Sequence, residues 1–136
     1  MTSLPEAGEP AWVLAVDDDP RVLEAIQLVL ETLGGLRVCL AGDVASAEDC
    51  LARIRPAVVV LDLRLPGSEV KGFVSRVRGE GGARTPLLVI SADERGAARA
   101  AELGAYDFLA KPFGPDELLG CVRKGLELAR QGGTRP

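Results

Sequence analysis

The feature that most constrains this chain is a fivefold alternation. Short apolar runs at Trp12–Val16, Arg37–Ala41, Ala57–Leu61, Leu87–Ile90 and Tyr106–Ala110 are separated by segments of helix length. Runs this short and apolar suit strands, while the segments between them carry helical spacing: Leu23, Ile26, Leu30 and Leu33 in the first, Val70, Phe73, Val74 and Val77 in the third. A chain that repeats strand then helix in this way has few options. It must lay its strands parallel and return through right-handed crossovers, which place helices on both faces of one sheet. An α/β fold with five strands and five helices is therefore expected. Val13–Val16, Val58–Leu61 and Leu87–Ile90 are apolar throughout, as strands buried on both faces are. The run at Arg37–Ala41 alternates more, and the one at Tyr106–Ala110 contains Asp107, so both belong at sheet edges. A parallel sheet of order 2-1-3-4-5 fits.

The punctuation agrees with this division. Asp19 followed by Pro20 suits an N-cap and first-turn pair, Gly34-Gly35 suits a helix stop, Asp43 suits the next N-cap, and Pro56 closes the second helix. A chain of 136 residues with 47% apolar content can bury one ordinary core and has no room for a second folded domain. The expected layout is a disordered leader over residues 1–11, a folded domain over 12–131 and a flexible tail over 132–136, with no output domain of its own.

Composition removes several function classes. Acidic residues outnumber basic ones by 20 to 16, and no basic block occurs, so a direct nucleic-acid surface is not indicated. There is no histidine, which excludes a histidine-based triad, a histidine metal site and a phosphohistidine in this chain. Cys39, Cys50 and Cys121 match no zinc spacing and are expected to be small buried hydrophobes in a reducing compartment. The first 11 residues carry no basic residue, and no apolar run approaches the ~18 residues of a membrane span, so a cytoplasmic protein is expected.

In an open parallel sheet, ligands bind outside the carboxyl ends of the strands where strand order reverses, here between the first and third strands. Asp17 and Asp18 follow the first strand, and Asp62 follows Leu61 at the end of the third. Three crowded carboxylates raise one another's pKa unless a cation is shared. A hard divalent ion resolves the conflict, and magnesium suits best, because it accepts one or two carboxylates plus water and leaves room for a phosphoryl oxygen. The Asp17–Asp19 run alone is equally readable as a solvated turn that favours a helix N-terminus. Asp62 shifts the balance, since Leu63, Arg64, Leu65 and Pro66 follow it rather than a helix to be capped. Ser91 ends the fourth strand and Lys111 the fifth; a hydroxyl can donate to a phosphoryl oxygen, and a lysine supplies a compact charge. Lys111 precedes Pro112, a candidate for a cis peptide bond.

Val-Asp-Asp-Asp-Pro at 16–20, Leu-Asp-Leu-Arg-Leu-Pro-Gly at 61–67, Ser-Ala at 91–92 and Lys-Pro-Phe at 111–113 together resemble the receiver domains of two-component response regulators. The resemblance runs from about Trp12 to Gln131. It implies a flavodoxin-like three-layer sandwich, with Asp62 as phosphoacceptor, Asp18 as a direct metal ligand and Asp17 acting largely through water. It further implies a metal contact from the main-chain carbonyl of Arg64, a phosphoryl contact from Ser91 and an ion pair between Lys111 and the acceptor. Arg64 and Asp93 stand at the positions that tune hydrolysis in that family, and Ser91 and Phe108 at its switch positions.

The partners implied are a sensor histidine kinase or phosphotransfer protein and a downstream protein target, and the last helices are the expected surface for any homodimer. The chain departs from the family in one place: Gly72, read as the loop glycine, lies two residues later than usual beyond Pro66, which leaves the start of the third helix open. Three rival readings fit less well. A haloacid-dehalogenase-type phosphatase needs an acid where Arg64 stands, and a flavodoxin needs a hydroxyl-rich loop where the three acids stand. A pseudo-receiver acting only as an interaction module would not need the active-site residues that are present.

The segment from Asp93 to Ala105 has Leu103 as its sole large aliphatic residue, so few contacts should anchor it. In the last helix, read as Asp116 to Gln131, Leu118, Val122, Leu126 and Ala129 share a face.

Overall fold

The structure is a computed structural model that describes residues 10–65, 67–79 and 85–133. Its strands are β1 (Trp12–Val16), β2 (Arg37–Ala41), β3 (Val58–Asp62), β4 (Leu87–Ser91) and β5 (Asp107–Ala110). They alternate with α1 (Pro20–Thr32), α2 (Val44–Arg53), α3 (Gly67–Arg78), α4 (Gly96–Glu102) and α5 (Pro115–Gly133). All four strand pairings are parallel and the order is β2-β1-β3-β4-β5, with the apolar runs central and Arg37–Ala41 and Asp107–Ala110 at the edges, as expected.

Strand periodicity divides the core in two. Leu14, Val16, Val59, Leu61, Leu87 and Val89 point to one face, where Ala47 and Cys50 of α2, Val70 and Phe73 of α3 and Ala100 of α4 cover them. Val13, Ala15, Val58, Val60, Leu88 and Ile90 point to the other, under Ile26 and Leu30 of α1 and Leu118 and Val122 of α5. Every residue of β3 and β4 is buried, which is why these strands tolerate no polar residue until the last position of each, Asp62 and Ser91.

Helix ends follow local chemistry. Asp19 caps α1 by accepting from the amide of Arg21, and Asp43 caps α2 by accepting from Ser46. Beyond α1 the chain turns at Gly35 with φ of 64°, a backbone conformation that glycine adopts without steric cost. Among the described residues no helix is long and apolar enough to cross a membrane.

Four expectations need correction. Gly72 is not a loop glycine: α3 already begins at Gly67, so the extra residues lengthen the helix and Gly72 lies exposed within it. β3 and β4 each extend one residue further, so Asp62 is the last residue of its strand rather than the one after it. The last helix starts at Pro115 and runs through Gly133, and α4 is shorter than the segment Asp93 to Ala105. Cys39 and Cys50 are not separate hydrophobes but form a disulfide between β2 and α2. The short β2–α2 turn folds the buried face of the helix back over the strand, and an 11-residue separation in sequence does not display that closeness. Residues 1–9 of the expected leader and 134–136 of the expected tail lie outside the described residues.

Candidate functional site

The parallel arrangement brings all five strand ends to one edge of the sheet. Ala41 at the end of β2 accepts a hydrogen bond from the amide of Asp17 at 3.0 Å, which pins the residue following β1. Asp17 is fully buried, and its Oδ1 accepts from the amide of Asp19 at 2.9 Å. Asp18 points outward with about half its side chain exposed, at 49%. Asp62 is 1% exposed at the end of β3. One carboxylate oxygen from each of Asp17, Asp18 and Asp62 lies within 4.8 Å of the others, close enough for a single ion to be shared.

Two cations close the cluster. Lys111, 14% exposed, donates to Asp17 Oδ2 at 2.7 Å, and its Nζ stands 3.4 Å from Asp62 Oδ2. The pairing of Lys111 with Asp62 is therefore shared, and Asp17 is the nearer partner. Lys111–Pro112 is the cis peptide bond anticipated from the sequence. The Arg64 guanidinium spans the mouth, with Nη2 3.3 Å from Asp18 Oδ1 and Nε 3.6 Å from Asp62 Oδ2. Its neighbourhood of Asp18, then Asp62, favours the charged guanidinium further still. With all five groups ionised, three negative charges face two positive ones.

The electrostatics show strain that a cation would relieve. Burial pushes the Asp17 carboxyl above the usual carboxylate range; the hydrogen bonds from Lys111 and from the Asp19 amide oppose this, and the Asp62 charge adds to it. Asp62 Oδ1 accepts from the Arg64 amide at 3.3 Å, whereas the buried Oδ2 has no hydrogen-bond partner. Lys111 and Arg64 stand within ion-pair reach of this oxygen without closing a hydrogen bond, so it keeps acceptor capacity that a metal ion could use. An all-oxygen, carboxylate-rich set of this kind fits a hard divalent cation.

Ser91 is 3% exposed at the end of β4, one register step beyond the Asp62–Ile90 pair, and its Oγ accepts from the Asp93 amide at 3.0 Å. The hydroxyl proton remains available to donate. Phe108, half-buried on β5, packs toward the same place: a Cβ built on Gly96 would lie 2.6 Å from its ring and 3.0 Å from Ser91 Cβ. Serine, ring and glycine thus meet beside the first turn of α4.

The structure brings Asp17, Asp18, Asp62 and Lys111 into one cluster and sets Ser91 on the adjoining strand end. What residue-by-residue reading missed is the Arg64 side chain, considered for its carbonyl and for hydrolysis but not as a cation lying across the acids. The signal was an arginine two residues after Asp62 in a short turn.

The sequence profile described as response regulator receiver domain matches residues 13–123. The C4-dicarboxylate transport transcriptional regulatory protein DctD of Pseudomonas aeruginosa is 38% identical over 120 residues, covering 87% of this chain and 26% of that protein. Response regulator Rre1 of Synechocystis is 36% identical over 128 residues, covering 91% of this chain and 54% of that protein. The chain thus spans from about a quarter to about half the length of these relatives. Among solved structures, a response regulator described as putative from Chloroflexus aurantiacus superposes with a TM-score of 0.77 at 33% identity, covering 88% of this chain and 99% of that one.

Proposed function

Because the chain belongs to the response regulator receiver domain family, we propose that Asp62 accepts a phosphoryl group from a phosphohistidine on a partner kinase or phosphotransfer protein, in a magnesium-dependent reaction that switches a protein-interaction surface. The observation that carries the reading is the buried Oδ2 of Asp62, without a hydrogen bond, flanked by Lys111 and two further carboxylates. A magnesium ion held by Asp18 and Asp62, by Asp17 through water and by the Arg64 main-chain carbonyl would neutralise charge on the transferring group.

The Asp62 carboxylate attacks phosphorus, the bond from phosphorus to the donor's ring nitrogen breaks, and the electron pair stays on that nitrogen. Lys111 compensates the charge gathering on the phosphoryl oxygens, and the Ser91 hydroxyl donates to one of them. The Arg64 guanidinium must first swing off Asp62 and Asp18, which its 62% exposed side chain permits. Hydrolysis ends the signal: water attacks phosphorus, the bond to the Asp62 oxygen breaks, and carboxylate and inorganic phosphate result. The output partner is proposed to be a protein reading α4 and β5; transcriptional control, named for DctD, is one form such output takes.

The test is acetyl phosphate with magnesium, read by intact mass. The parent chain gains one phosphoryl group and the Asp62→Asn variant gains none. Labelling of the variant would reject Asp62, and no labelling or beryllofluoride binding by the parent would leave an interaction module without phosphoryl chemistry.

A further inference from the structure

Away from the acidic cluster, the Cys39–Cys50 pair joins an edge strand to the helix that follows it. The two Cα atoms are 6.5 Å apart, within the range a disulfide spans without moving the backbone. The two sulfurs are not equivalent. Cys50 is fully buried on the inner face of α2, whereas Cys39 is only half-buried on β2. Arg53, one turn beyond Cys50 on an exposed position, lays its guanidinium over the pair, with Nη2 3.8 Å from Cys50 Sγ and 3.9 Å from Cys39 Sγ. A cation at this distance stabilises a thiolate on either sulfur. The Leu40 carbonyl stands 4.0 Å from Cys50 Sγ, an acceptor for the S–H that reduction creates. Cys121 offers none of this: it lies on α5 beside Asp107, and burial with that negative charge pushes its thiol up.

We propose that Cys39–Cys50 is a thiol–disulfide exchange site whose substrate class is a low-molecular-weight thiol, with Cys39 as the attacked sulfur and Arg53 stabilising the departing Cys50 thiolate. A small thiolate attacks Cys39 Sγ, a new S–S bond forms to Cys39, the Cys39–Cys50 bond breaks, and its electron pair leaves on Cys50, which then takes a proton. A second small thiolate attacks the small-molecule sulfur of that mixed disulfide. It releases a small disulfide and the Cys39 thiolate, which is protonated in turn. Two small thiols are oxidised, and the protein bridge is reduced to two thiols. Opening the bridge frees β2 from α2 and lowers the thermal midpoint, since the unfolded chain regains the entropy of the closed loop.

The full chain is equilibrated in glutathione buffers of stepped reduced-to-oxidised ratio, alkylated, and mapped by peptide mass. Cys39 and Cys50 should pass together from unlabelled to labelled over one window of ratio, with glutathione on Cys39 as the intermediate, while Cys121 labelling ignores the ratio. In the Cys50→Ser chain Cys39 should take up one glutathione; in the Cys39→Ser chain Cys50 should take up none. Arg53→Ala should slow exchange severalfold with an unchanged circular dichroism spectrum. Independent labelling of the two cysteines at every ratio, or a bridge that opens only when urea unfolds the chain, overturns the exchange site. An unchanged exchange rate in Arg53→Ala overturns the role given to the arginine. None of these readouts depends on phosphoryl transfer at Asp62.

Discussion

Neighbouring aspartates in one run do different work here because their backbone positions differ by a single residue each. Asp17 is buried and held by Lys111, Asp18 faces the mouth of the cluster, and Asp19 turns back to cap α1. Only the first two share space with Asp62. Asp18→Asn should therefore weaken magnesium binding by at least about tenfold, the lower end of what even outer-shell partners command. Asp19→Ala should leave that affinity nearly intact and lower the urea midpoint instead. Arg64 is paired with Asp18 and Asp62, the acids proposed to hold the ion, so Arg64→Ala should bind magnesium more tightly than the parent. Titration calorimetry reads all three, and equal losses for Asp18 and Asp19, or a weaker Arg64→Ala, would contradict this division of roles.

At the scale of elements, α4 is the shortest helix and adjoins the site. It has seven residues, buries Gly96 and Ala100, and its N-cap residue Arg95 makes no side-chain capping bond. Such an element moves at small cost. The missing side chain at Gly96 is what lets the Phe108 ring and Ser91 both pack up to the α4 backbone there. Gly96→Ala should cost about 1–3 kcal/mol, as overpacking does, and should raise hydrogen exchange over residues 96–102 without any phosphoryl analogue. Exchange equal to the parent's would show that the ring is not held by that glycine.

The cap of α2 gives a pH prediction. The Ser46 amide and side chain hold the Asp43 carboxyl below its ordinary pKa. A depressed carboxylate stabilises the fold above its unfolded pKa, and that contribution is lost as pH falls through the folded value. The deficit of Asp43→Ala in urea midpoint should therefore be full at neutral pH and shrink in strong acid. A deficit independent of pH would point to packing rather than charge.

For the whole molecule, stability rests on two apolar layers sharing one sheet. Among the described residues Phe73 is the largest fully buried side chain, set in the layer that carries α2, α3 and α4. Phe73→Ala should cost about 3–5 kcal/mol and, by loosening α3 behind the turn that holds Arg64, should reduce phosphorylation by acetyl phosphate as well as the melting temperature. A chain that melts lower yet labels at the parental rate would show that the site does not depend on this layer.

The sequence by itself determined the class and direction of this fold and which strands are central, because the five apolar runs and the helical spacing between them leave parallel crossovers as the one way to bury both faces of Val58–Leu61 and Leu87–Ile90, whereas the strand order it only suggested by likeness to other doubly wound sheets. It also determined which end carries the acids, since Asp17, Asp18 and Asp62 terminate or follow strands that permit no earlier charge. Helix ends were legible to within a few residues, as caps are local chemistry. Tertiary structure decided the rest. That Lys111 lies nearer Asp17 than Asp62, that Arg64 lies across the mouth, that Gly72 is helical and that Cys39 meets Cys50 all depend on distances between segments remote in sequence. Periodicity reports which face a side chain takes, and only the packed arrangement of turns and helices fixes which partner it meets there.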